Sequence, residues 1–562
     1  MLDTNSFFIQ FLRLAGSFWL DEKSGAKLRA LLLVLLTVAQ IAIAVLITEW
    51  SADLFNALDQ RSMGGFFKQI GLIVLILIAN IAVTANHLKI KRGLQVDWRA
   101  WLTERLIGRW MVNGRHYLVT HIDGEHDNPD GRIAEDIRIA TESAIDLCHS
   151  LLYSLLLLVS FTKILWTLSG VVLLDLGLFQ IPIHGHLVWL AFIYAGCASS
   201  LGWWIGRSLT VATEAKQTAE ANFRFNLVSA LENSQSIALI HGESTEQTRL
   251  HRSFSDIVGI WSQQTQAWVN IMMFTSGYSV LSMAFPVLVT APRYILGSIT
   301  LGALMQAVQS FQQTVSALSW PVDNMAKVAE WRASVERVLG LVKALADLEQ
   351  EIARPDPNRI VLEKAELPIL TFQKLCISKF NGDAIIACID TEIRLGERVL
   401  IHGDATLGAK LFKAIAGLWP WGHGRIILPD DDPMFFMPPR PYLPTNSLRE
   451  AICYPAPSTR FGEEAIVAAI RLVGLDDLLS QLDVVDIWDK ALPRSDQQRL
   501  GLVRLLLYRP KWILLQEAFD SLNPEVEADM FRLICSQLPD AALLSITNQL
   551  SAEVFHSRRI LL

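Results

Sequence analysis

The sequence predicts an α-helical six-span transmembrane domain followed by a cytosolic α/β domain, on three observations. Apolar residues make up 51% of the 562-residue chain and charged residues only 19%, a balance more apolar than that of a soluble protein. Much of the excess falls in the first three hundred residues, in runs of about 20 apolar residues, the length that crosses a bilayer. Beyond the breaker-rich stretch ARPDPNR (353–359), short strand-like runs alternate with helical ones, as in an α/β domain.

In chain order, residues 1–27 have a mixed amphipathic pattern without a small-residue cleavage site, which predicts an elbow helix lying along the membrane face rather than a signal peptide. Spans are expected at 28–48, 69–85, 147–168, 187–205 and 268–290. A sixth, 296–320, is rich in Gln and Ser, as for a helix that faces a polar cavity. Lys23, Lys27 and Arg29 precede the first span, and Lys89, Lys91, Arg92 and Arg99 follow the second. The opposite connections are poor in Lys and Arg, which places both termini in the cytoplasm. The transmembrane domain, with long cytoplasmic helical extensions, is therefore drawn at 28–345. A linker follows at 346–368, and an α/β domain at 369–562 has strands near 370–378, 398–402 and 512–515 and helices near 464–473 and 496–507.

The net charge of −7 gives no basic footprint for nucleic acid. Six cysteines are scattered without a C-x-x-C pair or metal-ligand spacing. They read as small apolar residues in a reducing compartment, and no metal site is expected. His116, His121 and His126 read as a solvated loop.

Residues 400–424, LIHGDATLGAKLFKAIAGLWPWGHG, carry the frame of a phosphate-binding loop: a strand, Gly403, four residues including Thr406, then Gly408 and an apolar-periodic helix. Such loops cradle phosphates with backbone N–H groups, a Lys and a Mg²⁺-holding hydroxyl. Here Ala409 stands in the place of the Lys, with Lys410 and Leu411 after it.

Six spans followed by this loop resemble an ABC half-transporter, a membrane domain fused to an ABC ATPase-like domain. GEHDNPDGRIAEDI (124–137), AIAGLWPWGHGRI (414–426), PRPYLPTNSLREAICYP (439–455) and QQRLGLVRLLLYRPKWILL (497–515) are similar to the bacterial SbmA/BacA-like branch, related to peroxisomal fatty-acyl half-transporters. The resemblance implies an exporter-like homodimer in the bacterial inner membrane, its partners being the lipid bilayer, a second copy and a peptide or small-molecule cargo. ATP and Mg²⁺ are the cofactors implied. Some relatives in that branch lack a nucleotide-binding domain and run on the proton gradient.

The chain departs from the family at most of its nucleotide-contacting positions. One residue is missing between Gly408 and the apolar helix, which turns Lys410 by roughly 100° from the phosphate-binding position. Lys410 is then either a solvated residue or a displaced phosphate contact. Pro439 stands in the position of the Q-loop Gln, Leu492-Pro493-Arg494-Ser495-Asp496 in that of Leu-Ser-Gly-Gly-Glu, Gln516 in that of the Mg²⁺ carboxylate, Asn523 in that of the D-loop Asp and Asn548 in that of the switch His. Glu517 retains the position of the base that polarises water. Phe380 offers a face for adenine or simply packs. Phosphoryl transfer rests on positioning and charge, so the altered set predicts an ATPase-deficient domain kept for packing and coupling. A remodelled ATPase using Lys410 and Glu517, and a non-transporting sensor or scaffold, are the rival readings. For another driving force the sequence offers Glu49 and Asp53, four residues apart past the first span, as proton-coupling carboxylates or as solvated residues. Asp146 and Lys163 lie in the third span.

Overall fold

The computed structural model describes residues 4–20, 25–121, 128–175, 180–353, 359–379, 384–430, 434–547 and 550–562. Phe380, Asn548, His126 and most of the 353–359 linker lie outside them. The chain forms two compact units, residues 1–108 with 128–342, and residues 109–127 with 343–562.

The first unit is helical. Its elements are α1 (Thr4–Leu20), α2 (Ala26–Asp59) and α3 (Met63–Met111), then, past the second unit's α4 (Arg115–Leu118), α5 (Pro129–Gly131) and α6 (Ile137–Ser169). A hairpin, β1 (Val171–Asp175) with β2 (Gln180–His184), leads to α7 (His186–Glu232), α8 (Ser234–Leu239), α9 (Glu243–Ile295), α10 (Leu301–Leu318), α11 (Trp320–Asp323) and α12 (Met325–Ala353). Among the described residues five helical stretches, Ala26–Asp59, Met63–His121, Pro129–Ser169, His186–Glu232 and Glu243–Ile295, are long and apolar enough to cross a membrane. Their outward Leu75, Ile78, Val280 and Leu288 are exposed, as apolar side chains are when lipid is the solvent.

The sixth expected span differs. α10 is not among the five: it is 18 residues long and carries four glutamines. It packs against α2, α6, α7 and α9, and only Gln313 and Ser316 are exposed. Phe311 is fully buried with Leu165, Leu187, Val188, Ala191 and Val315. Part of its polar content is bonded inside the unit: Thr314 donates to the Ser310 carbonyl at 2.8 Å, and Gln309 donates to Ser51 at 2.8 Å.

The second unit comprises β3 (Val361–Ala365), β4 (Ile369–Ser378), β5 (Ala384–Arg394), β6 (Arg398–His402), α13 (Ala405–Ile415), β7 (Gly422–Pro429), β8 (Met434–Met437), the short β9 (Asn446–Ser447), α14 (Leu448–Cys453), α15 (Glu463–Leu472), β10 (Val485–Asp486), α16 (Trp488–Ala491), α17 (Arg494–Tyr508), β11 (Trp512–Gln516), α18 (Pro524–Gln537), β12 (Ala542–Ile546) and β13 (Arg558–Leu561). A five-stranded sheet in the order β13-β6-β12-β11-β8 is parallel throughout. A four-stranded sheet, β3-β7-β4-β5, is mostly antiparallel. Leu370, Ile377, Ile393, Val399, Leu411, Ile426, Leu514 and Ile546 fill the core that α13 shares with both sheets. On the opposite face Met437, Ile513 and Leu515 pack under α14, α15, α17 and α18. A sheet of near-continuous apolar strands such as WILLQ and ALLSI is what burial on both faces demands.

Candidate functional site

In parallel α/β sheets ligands bind beyond the carboxyl ends of the strands. Here β6, β12 and β11 lie side by side, with Ile401 opposite Ile546 and Ile546 opposite Gln516. Gly403, Gln516 and Glu517 therefore leave the sheet at one level. Glu517 takes a positive φ of 44° and donates its N–H to the Ile546 carbonyl at 2.7 Å.

The turn after β6 differs from the expected loop. The helix starts before Gly408, at Ala405, because Asp404 is an N-cap. Its carboxylate accepts the Thr406 N–H at 2.7 Å, and its carbonyl accepts the N–H groups of Leu407 at 2.9 Å and Gly408 at 3.1 Å. Only Gly403 and Asp404 separate strand from helix. Three N–H groups of the kind that would cradle a phosphate are thus bonded to one aspartate, whose negative side chain stands at the helix N-terminus, where an anion would otherwise be favoured. As folded, this end of the helix does not fit a phosphate.

Gly408 has a packing role: a Cβ there would lie 2.8 Å from Ile546 Cδ1. Ala409 follows on the same helix. Lys410 lies two residues past Gly408, about 200° around the helix and so away from β12. Its ammonium sits 5.4 Å from the centre of the Trp419 ring.

Residues around the other motif positions bind one another. Arg494 pairs with Asp520 at 2.7 Å. The Gln498 amide donates to Asp520 and, at 3.0 Å, to the Pro439 carbonyl, while its oxygen accepts the Ser521 N–H at 3.1 Å. Asn523 caps α18 by accepting the Val526 N–H at 3.0 Å. The buried Arg504 guanidinium donates to the carbonyls of Ala451, Tyr442 and Ile452 at 2.7, 3.0 and 3.2 Å, which ties α17 to α14 and to the segment after Pro439.

One cluster was not legible in the sequence. His121, expected in a solvated loop, packs 5.6 Å from Trp419 and 6.0 Å from Trp421 between ring centres. The two indoles are 4.9 Å apart and edge-to-face. Tyr117 meets the Lys413 ammonium at 5.4 Å, and Arg109 and Arg115 both pair with Glu349, at 3.2 and 2.7 Å. Residues 109–121 are thereby built into the second unit. The two tryptophans of LWPWG were the available signal, but their partner lies some three hundred residues upstream.

In the helical unit Glu49 and Asp53 are exposed, one turn apart on α2. Asp146 is not isolated: it pairs with Lys91 at 3.1 Å and accepts the Gln95 amide at 2.9 Å. Lys163 is exposed on α6. A polar cluster that the sequence reading missed lies close by. His87 and His149 share a hydrogen bond between their Nε2 atoms at 2.7 Å. They line a cavity of about 360 Å³ with Gln40, Asn80, Thr84 and Tyr153.

Comparisons with known proteins bear on both regions. Residues 21–295 match the ABC transporter transmembrane region 2 family. The chain overlays a bacterial Atm1-family ABC exporter solved with ATP bound, with a TM-score of 0.67, covering 96% of this chain and 94% of that one at 16% identity. The fold is that of an ABC exporter chain, with apolar helices long enough to cross a membrane followed by an α/β domain.

Among particular relatives, the chain is 27% identical to the inner membrane ABC transporter ATP-binding protein YddA of Escherichia coli K12, over 96% of this chain and 95% of that protein. It is 23% identical to the human lysosomal cobalamin transporter ABCD4, over 98% and 93%.

Proposed function

We propose that this chain is one half of a dimeric inner-membrane transporter of the SbmA/BacA-like kind, moving a peptide or small amphipathic cargo, whose nucleotide-binding-type domain does not hydrolyse ATP. Both termini are assigned to the cytoplasm. The observation that carries the reading is Asp404: it accepts the N–H groups of Thr406, Leu407 and Gly408, so a phosphate would have to displace a carboxylate and unwind a helical turn. The altered positions Ala409, Lys410, Gln516 and Asn548 point the same way, and no step is assigned to Mg²⁺ or to Glu517. The domain instead acts as a coupling platform, gripping residues 109–121 through Trp419 and Trp421. The driving force is assigned to an ion gradient, with Glu49 and Asp53 as the carboxylates that exchange the proton.

The test is MgATP turnover by the purified dimer in lipid discs, beside Glu517→Gln. No turnover in either protein is expected. Turnover abolished by the substitution would make the chain a remodelled ATPase. Peptide-antibiotic sensitivity gained on expression, and lost in Glu49→Gln, separates transport from a scaffold role.

A further inference from the structure

Cysteines spaced at 12 residues, with a histidine 35 further on, carry no metal signature in the sequence. The four-stranded sheet nevertheless brings them together. Cys376 on β4 lies opposite His423 on β7, and Cys388 on β5 reaches the same place from the other side across an irregularity in the β4–β5 register. Cys376 and Cys388 are joined as a disulfide, which corrects the expectation of scattered, reduced, buried thiols. Cys388, like Cys148 and Cys197, is in fact exposed.

The glycines either side of His423 make the approach possible. A Cβ at Gly422 would lie 2.2 Å from the Cys376 carbonyl oxygen, and one at Gly424 equally close to that of Lys374. His423 Nε2 is 3.7 Å from Cys388 Sγ, and the ligand atoms of all three residues lie within 4.8 Å of one another. Zn–S and Zn–N bonds of about 2.3 and 2.0 Å at a tetrahedral angle place S and N about 3.5 Å apart. The Cys388–His423 separation of 3.7 Å is close to that figure.

We propose that Cys376, Cys388 and His423 form a thiol-switched site for a soft transition-metal ion, of the Zn²⁺ or Cu⁺ class, on the β4–β5–β7 sheet. In the oxidised form the sulfurs are bonded to each other and hold no metal. A dithiol of the thioredoxin class, becoming a disulfide itself, delivers two electrons and two protons and yields two thiols. The ion then displaces both thiol protons to solvent and is held by two thiolates and the neutral imidazole, with a fourth position open to water or a small ligand. Two thiolates select soft ions over Mg²⁺ or Ca²⁺. His423 lies two residues after Trp421, so the metal site stands at the start of β7 directly beside the aromatic clamp on His121.

The test uses the full chain in lipid discs, reduced with a phosphine and titrated with Zn²⁺ against a chromophoric chelator. Cobalt substitution serves as the second readout. One zinc per chain and a thiolate-to-cobalt charge-transfer band are expected, both absent from the oxidised protein. Cys388→Ser and His423→Ala, both at exposed positions, should each weaken zinc binding at least tenfold, with unfolding midpoints compared against the reduced wild type. Cys197→Ser should leave it unchanged. Zinc stoichiometry and affinity unaltered in Cys388→Ser, or no cobalt–thiolate band in the reduced chain, would overturn the proposal.

Discussion

The role given to Asp404 can be tested by replacing it with Asn. Asn is as good an N-cap as Asp, so the bond to the Thr406 N–H survives and stability should change by less than about 0.5 kcal/mol. What disappears is the charge. A phosphate oxygen accepting the same N–H, now bonded to the carboxylate at 2.7 Å, would lie within about 4 Å of that carboxylate. Two unit charges at this separation repel by about 1 kcal/mol in bulk water and about 4 kcal/mol at the effective dielectric of a protein surface. Asp404 is exposed, so the lower part of the range applies, about 1–2 kcal/mol, or a five- to thirtyfold gain in affinity for an anion. Equilibrium dialysis against pyrophosphate and MgATP reads this directly. The wild-type chain should bind neither tightly, and Asp404→Asn should bind pyrophosphate better while unfolding at the same temperature. Micromolar MgATP binding by the wild type, unchanged or weakened in Asp404→Asn, would refute the argument that the carboxylate occupies the phosphate's place.

Other expectations follow from the same unit. Arg504→Met leaves the buried carbonyls of Ala451, Tyr442 and Ile452 unpaired. That should cost about 3–5 kcal/mol and lower the unfolding midpoint by roughly 10 °C, measured by tryptophan fluorescence. His121→Ala removes two aromatic contacts, worth about 2 kcal/mol together. Hydrogen exchange at residues 417–421 should then accelerate about thirtyfold if their opening is local. Burial, above all, and then the nearby Arg398 hold the His556 imidazole below its ordinary value, against the opposing pull of its bond to the Ala552 carbonyl. The unfolded chain therefore binds this proton first as pH falls. Stability should be full above about pH 6.5 and decline below it. The midpoint of His556→Gln, followed from pH 7.5 to 5, should fall less steeply than that of the wild type.

How much of this was legible depended on the range of each interaction. The strand at Arg398–His402 was read with its observed bounds, and that near 370–378 to within one residue, because an apolar run bounded by turn residues is a local signal. The start of α13 was misplaced by the very feature that matters. Asp404 read as one of four spacer residues in a phosphate frame, whereas an aspartate followed by Ala-Thr-Leu also caps a helix, and the cap won. α10 was recognised as a distinct polar helix, yet composition does not say whether glutamines meet water or neighbouring helices. Lys410 was read as displaced around its helix; that Trp419 would receive it is a consequence of the fold. The Cys376–Cys388–His423 and His87–His149 groups were invisible for one reason: strand pairing and helix packing join residues whose separation in the chain carries no pattern.

The grip of Trp419 and Trp421 on His121 also bears on how the molecule is made. Residues 109–127 belong to a compact unit whose remainder begins at Lys343. On the ribosome that early piece emerges more than two hundred residues before the indoles and Glu349 that hold it. A clone beginning at the linker would produce a domain with an open aromatic socket and an unneutralised glutamate. Such a fragment should be sticky and poorly soluble, and supplying residues 109–121 as a separate peptide should restore its solubility.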